Sequence, residues 1–144
     1  IKLFDFTIYD PFYSKIYKDI KKPFKINFIT DKKKLKLKKF DVVNFGSCLQ
    51  YFNNIDFLNN YINYKFTNTI LVTHTPISLT KKYKSKQKNH KTLIQNIHTL
   101  NDIKKKFKKI GFNLIFKSRN CDKYIACEKK QKNTFSLNLI FSKR

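Results

Sequence analysis

The run Phe40-Asp41-Val42-Val43-Asn44-Phe45-Gly46-Ser47-Cys48-Leu49-Gln50-Tyr51-Phe52 constrains this chain more than any other stretch. Val42, Val43 and Phe45 make a short apolar strand, and it stops at Gly46, one of only two glycines in 144 residues. Beyond that glycine, Ser47, Gln50 and Tyr51 mix with apolar Leu49 and Phe52 on the way into a helix. In open sheets of parallel strands, a strand that turns into a helix presents its carboxyl end to a ligand. Gly46 to Tyr51 are therefore expected at the rim of an active site, with the backbone reversing at Gly46. An ordinary strand-to-helix turn is the plainer alternative.

The other segments set the context. Leu3 to Tyr9 alternates and reads as a strand. Pro11 then opens a helix carried by Phe12, Ile16, Tyr17 and Ile20 and stopped by Lys21-Lys22-Pro23. Phe24 to Ile29 is a second strand. Lys32 to Lys39 is a basic connector, with Leu35 and Leu37 in a short extended piece. Asn53-Asn54 can cap a helix whose apolar face is Ile55, Leu58, Tyr61 and Ile62. Thr69 to His74 is a strand ended by Thr75-Pro76, and Ile77 to Leu93 lacks a period and reads as a lysine-rich loop. Thr99-Leu100-Asn101-Asp102 resembles a capping box, opening a helix that buries Leu100, Ile103, Phe107 and Ile110 and ends at Gly111. Phe112 to Phe116 and Asn133 to Ser142 are strands, with Cys121 to Gln131 a connection or extra strand between them. Alternating strands and helices predict an α/β fold: one domain over residues 1–144, a mostly parallel sheet and a closing antiparallel hairpin.

Charge narrows the function classes less than its size suggests. The 32 basic and 9 acidic residues give a net charge of +23. That field attracts nucleic acid or an anionic membrane surface. Yet only Arg119 and Arg144 are arginines, whereas readers of phosphate and bases rely on arginine for paired hydrogen bonds. The wealth of Lys, Asn, Ile, Phe and Tyr is the pattern of an AT-biased coding sequence. No apolar run approaches the roughly 20 residues that span a bilayer. Cys48, Cys121 and Cys127 lack metal-ligand spacing and are expected as reduced thiols in a cytoplasmic protein. Cys48 reads as a small apolar filler, because no base lies near it in sequence.

Asp41 to Asn54 is similar to the fourth strand and following turn of a family of S-adenosylmethionine-dependent methyltransferases encoded near surface-polysaccharide (lipopolysaccharide, O-antigen) genes. Leu49-Gln50-Tyr51, Thr75-Pro76, Gln87, Ile97, Gly111-Phe112, Asn113 to Ser118 and Asn138 to Phe141 carry the likeness from about Ile8 to the end. The resemblance implies a Rossmann-like class I methyltransferase fold. It implies S-adenosylmethionine as cofactor and a sugar or glycan intermediate as acceptor, met at the inner membrane face. The family's first strand and Gly-rich turn should precede Asp10 by about 20 residues. Nine residues without glycine stand there, so the resemblance implies a chain incomplete at its N-terminus. His74 also stands where the family often has Arg.

Under that resemblance Asp10 would hold the cofactor's ribose hydroxyls and Asp31 would lie near its adenine. Gly46, Ser47 and Gln50 would floor the methionine part, while Tyr51, His74, Thr75 and Gln87 would face the acceptor. His74, Tyr51 and Gln50 are the catalytic candidates, since methyl transfer needs alignment and at most one proton acceptor. The bland readings are a helix-capping role for Asp10, a turn role for Asp31, a structural His74 and a packing role for Tyr51. His90 and His98 are expected in solvent. A basic RNA- or ribosome-associated module is the alternative function, motivated by the charge with its interleaved Tyr and Phe.

Overall fold

The computed structural model describes residues 5–10, 26–88, 90–121 and 125–143. The helix expected after Pro11 lies outside them. Two short strands come first, β1 (Phe6–Tyr9) and β2 (Ile26–Ile29), paired in parallel from Phe6↔Ile26 to Tyr9↔Ile29. Helix α1 (Lys32–Leu37) comes next, where an extended connector was expected. Its start is fixed by Asp31, whose side chain accepts a hydrogen bond from Lys33 N–H, and Leu35 is its one buried residue. The cap and the straight-chain Lys and Leu outweigh the like charges.

The second sheet has four strands in the order β3 (Val42–Gly46), β4 (Thr69–Ser78), β8 (Thr134–Ser142), β7 (Asn113–Arg119). Only β3 and β4 are parallel; β4–β8 and β8–β7 are antiparallel. A third unit is the antiparallel hairpin of β5 (Tyr83–Gln87) and β6 (His90–Ile97). The second α-helix, α2 (Leu100–Lys109), lies between β6 and β7. This corrects the expected Rossmann-like fold. Among the described residues, strands dominate in three small sheets with mixed pairing, and there are two α-helices. The segment expected to be a loop, Ile77 to Leu93, supplies much of the difference as the end of β4, β5 and the start of β6.

Two local rules explain other departures. Thr75-Pro76 does not end β4. Beyond Thr73, β4 has no β3 partner, so a residue without an N–H is tolerated at Pro76 opposite Ser136. The Asn53-Asn54 cap does form, with Asn54 Oδ1 accepting from Asp56 N–H at 3.0 Å. It opens a 3-10 turn (Ile55–Asn60), and a second one (Tyr64–Phe66) comes after it, in place of one α-helix.

The main core lies between this sheet and α2. Ile70, Val72, Leu139 and Phe141 from the sheet meet Ile103 and Phe107 of α2, all fully buried, and the Phe107 and Phe141 rings sit 4.5 Å apart. Helix α2 behaves as its sequence dictates. Thr99 Oγ1 accepts from Asp102 N–H at 3.0 Å, and Gly111 leaves the helix with φ +88°.

Candidate active site at the strand ends

The parallel register Gly46↔Thr73 sets the residues after them, Ser47 and His74, side by side. Both are left-handed, with φ 50° and 51°. Ser47 N–H donates to Thr73 O and Ser47 Oγ–H to His74 O, each at 2.9 Å. His74 N–H donates to Asn138 Oδ1 at 3.0 Å. A register shift between Val72 and Thr75 takes His74 out of the β4–β8 ladder. For a side-chain-bearing residue the left-handed region costs about 1–2 kcal/mol, and such strain gathers at ligand sites. The break expected at Gly46 falls one residue later, at Ser47, where a left-handed bend takes the chain out of β3. A Cβ on Gly46 would meet its nearest atom, Thr73 Oγ1, at an ordinary 3.5 Å, so glycine is not required there.

The His74 ring is held by Asn120, a partner the sequence did not reveal. Cys121 N–H donates to Asn120 Oδ1 at 2.9 Å, so the amide NH2 of Asn120 is the group facing His74 Nδ1. Nδ1 then accepts, and the neutral ring carries its hydrogen on Nε2. His74 is exposed. With Nδ1 engaged by Asn120, Nε2 is the ring nitrogen left to meet a ligand.

The remaining candidate residues divide. Tyr51 is exposed, and its hydroxyl donates to Gln87 Oε1 at 3.0 Å, tying the 3-10 turn Leu49–Tyr51 to β5. Gln50 is buried, gives Nε2–H to Ser47 O at 2.9 Å, and has its Oε1 without a hydrogen-bond partner. Thr75 is buried with its hydroxyl on Thr73 O at 3.0 Å, so it supports the bulge and does not face a ligand.

Asp10 and Asp31 end the neighbouring parallel pair at the same edge, Asp10 N–H donating to Ile29 O at 3.2 Å. Tyr61 joins that edge to the segment after Tyr51. Its ring meets Tyr9 edge-on at 5.6 Å and Phe52 at 6.2 Å, and Lys32 Nζ lies over its face 4.5 Å from the centroid. Burial pushes the Tyr9 phenol above its usual range, and Tyr61, Asp31 and Asp10 beside it push in the same direction. Two of the chain's nine acidic residues thus stand at one aromatic junction, next to the Leu49–Phe52 segment. The hydrophobic spacing that made Tyr61 a helix-face residue concealed this role.

Of the remaining two histidines, His90 is exposed at the start of β6. His98 is buried, not solvated, with Nε2 on Phe52 O at 3.0 Å. Burial, then Lys82, pull its pKa below the ordinary imidazole value. Cys48 packs against the core, and burial raises its thiol pKa to about 11. Cys127 donates to Gln95 Oε1 at 3.0 Å, and Cys121 is exposed. Among the described residues no helix is long and apolar enough to cross a membrane, and no three metal-ligating side chains cluster. No protein-family model matches the chain, and no curated protein matches it.

Proposed function

We propose that the chain is an S-adenosylmethionine-dependent methyltransferase acting on a sugar or glycan intermediate, with its site between the Tyr61 junction and the ends of β3 and β4. The observation that carries the reading is the meeting of Asp10, Asp31, Tyr9, Tyr61 and Phe52 at one junction, with Phe52 five residues along the chain from the left-handed Ser47 that pairs with His74 at the ends of β3 and β4. S-adenosylmethionine would supply an activated methyl carbon to the acceptor.

The residues present suit that cosubstrate. A carboxylate at Asp10 is a strong acceptor for the two ribose hydroxyls. Tyr61 already holds the Lys32 ammonium on its face, and a sulfonium is the same kind of guest. Gln50 Oε1, buried and unpaired, is an acceptor suited to the ammonium of the methionine part. On the acceptor side, His74 Nε2–H and the Tyr51–Gln87 pair orient a hydroxyl-bearing sugar. Alignment of this kind supplies most of what an in-line methyl transfer asks of a protein.

Calorimetric titration of S-adenosylmethionine tests the reading. The protein should bind it saturably, and Asp10→Ala should weaken binding about tenfold to a hundredfold, the worth of charge-assisted hydrogen bonds. Absence of saturable binding, or binding indifferent to Asp10→Ala, would refute it.

A further inference from the structure

We infer that a lysine-walled depression beside α2 is a subsite for a phosphate-bearing ligand. The depression measures about 230 Å³. Lys105, Lys106 and Lys109 of α2 form one wall and Lys82 comes from the other side, with buried His98 and exposed Asp102 between them. Lys82 does not reach there by chance of rotamer, since its Nζ donates to Asn53 O at 2.8 Å. Lys106 is ion-paired to Asp56, whereas Lys105 and Lys109 form no ion pair among the described residues. Even with Asp56 counted beside Asp102, four ammonium groups face two carboxylates.

Like charges brought together around a concavity repel, and those at i and i+4 weaken their own helix. Part of the arrangement has a structural cause, because lysines in the last turn of α2 complement the helix dipole. That cause does not extend to Lys82, which belongs to a different segment and is anchored toward the same hollow. A phosphate or diphosphate group relieves the repulsion and takes several ammonium donors at once.

The location of the hollow points the same way. Phe52 O accepts from His98 and Asn53 O from Lys82, while the Phe52 ring touches Tyr61. One short segment therefore borders both the lysine hollow and the strand-end site. The phosphate subsite stands without the methyl-transfer reading. If both hold, the acceptor carries its phosphate here.

Inorganic pyrophosphate is the probe, titrated calorimetrically into three proteins: the unsubstituted chain, Lys105→Gln/Lys109→Gln, and a control, Lys34→Gln/Lys36→Gln, that removes the same charge from α1. Lys105 and Lys109 line the hollow and Lys34 and Lys36 do not. All four are exposed, so thermal melts should coincide. One saturable site per chain is expected, weakened at least about tenfold in the first variant and less than about twofold in the control. Equal loss in both variants, or no saturation, would overturn the inference in favour of diffuse charge. A nucleoside-diphosphate sugar separates the sources: tighter binding than pyrophosphate assigns the subsite to a sugar-linked ligand, equal binding to free phosphate. Single-stranded RNA that binds more tightly than either, and equally to both variants, would also overturn it.

Discussion

The Ser47–His74 junction makes a prediction whose sign alone is decisive. Ser47 is exposed with φ 50°, and its hydroxyl bonds His74 O. Ser47→Ala and Ser47→Gly both delete that hydrogen bond, so its worth cancels between them. Alanine keeps a Cβ in the left-handed region, at about 1–2 kcal/mol. Glycine avoids this but gains freedom in the unfolded chain, at about 0.4–1 kcal/mol. The difference leaves Ser47→Gly more stable by roughly 0.5–1 kcal/mol, or about 1–4 °C in Tm for a chain of this size. Differential scanning calorimetry of the two variants reads it directly. In a right-handed or extended backbone the order reverses, since glycine there is the less stable by about 0.5–1 kcal/mol. An alanine variant that melts above the glycine variant would therefore refute the left-handed assignment and the strained strand end built on it.

The core and the titrating groups carry the other expectations. Phe107→Ala, emptying a fully buried site against Phe141, should cost about 3–5 kcal/mol in denaturant unfolding. Tyr64→Phe should be stabilising by about 1 kcal/mol, because the Tyr64 hydroxyl is buried without a partner. Cys48 is protonated more firmly folded, at about 11 against 9.0, and burial raises Tyr64 likewise. Their contribution is complete below the unfolded values and declines as pH rises from 9 toward 11, so thermal melts should fall over that span and fall less in Tyr64→Phe. His98 has the opposite sign: its lowered pKa gives stability present above 6.5 and lost as pH falls below it, a loss that His98→Gln should remove. Thiol titration of the native protein should label Cys121 first and Cys48 only at higher pH or on unfolding.

The sequence carried those parts of the fold that local rules decide. Helix α2 was legible because Thr99, the apolar spacing and Gly111 agree with one another, and β8 because Phe135, Leu137, Leu139 and Phe141 alternate. The β5–β6 hairpin was not legible. Lys84 and Lys86 fall on exposed positions, and three of its four buried side chains among the described residues are polar (Ser85, Gln95, Asn96, beside Ile97), which hides the alternation. Strand direction was the larger miss, because pairing depends on partners far along the chain. At the candidate site, Ser47, Gln50 and Tyr51 were named from their position after β3 and their residue types, and Gln87 from the family resemblance. Asn120 and Tyr61 were not, since each matters only through contacts with residues 46 and 52 positions away at His74 and Tyr9. His98 was misread because a histidine in a polar stretch gives no sign of burial.

The central claim is that Asp10, Asp31 and Tyr61 share one ligand crevice with Ser47 and His74. The most direct measurement is a series of 1H–15N correlation spectra recorded as S-adenosylmethionine is added. The account predicts saturable shifts at Tyr9, Asp10, Asp31, Ser47, Gln50 and Tyr61, all with one dissociation constant. Shifts that fail to saturate, or that fall on α2 and spare these residues, would contradict it.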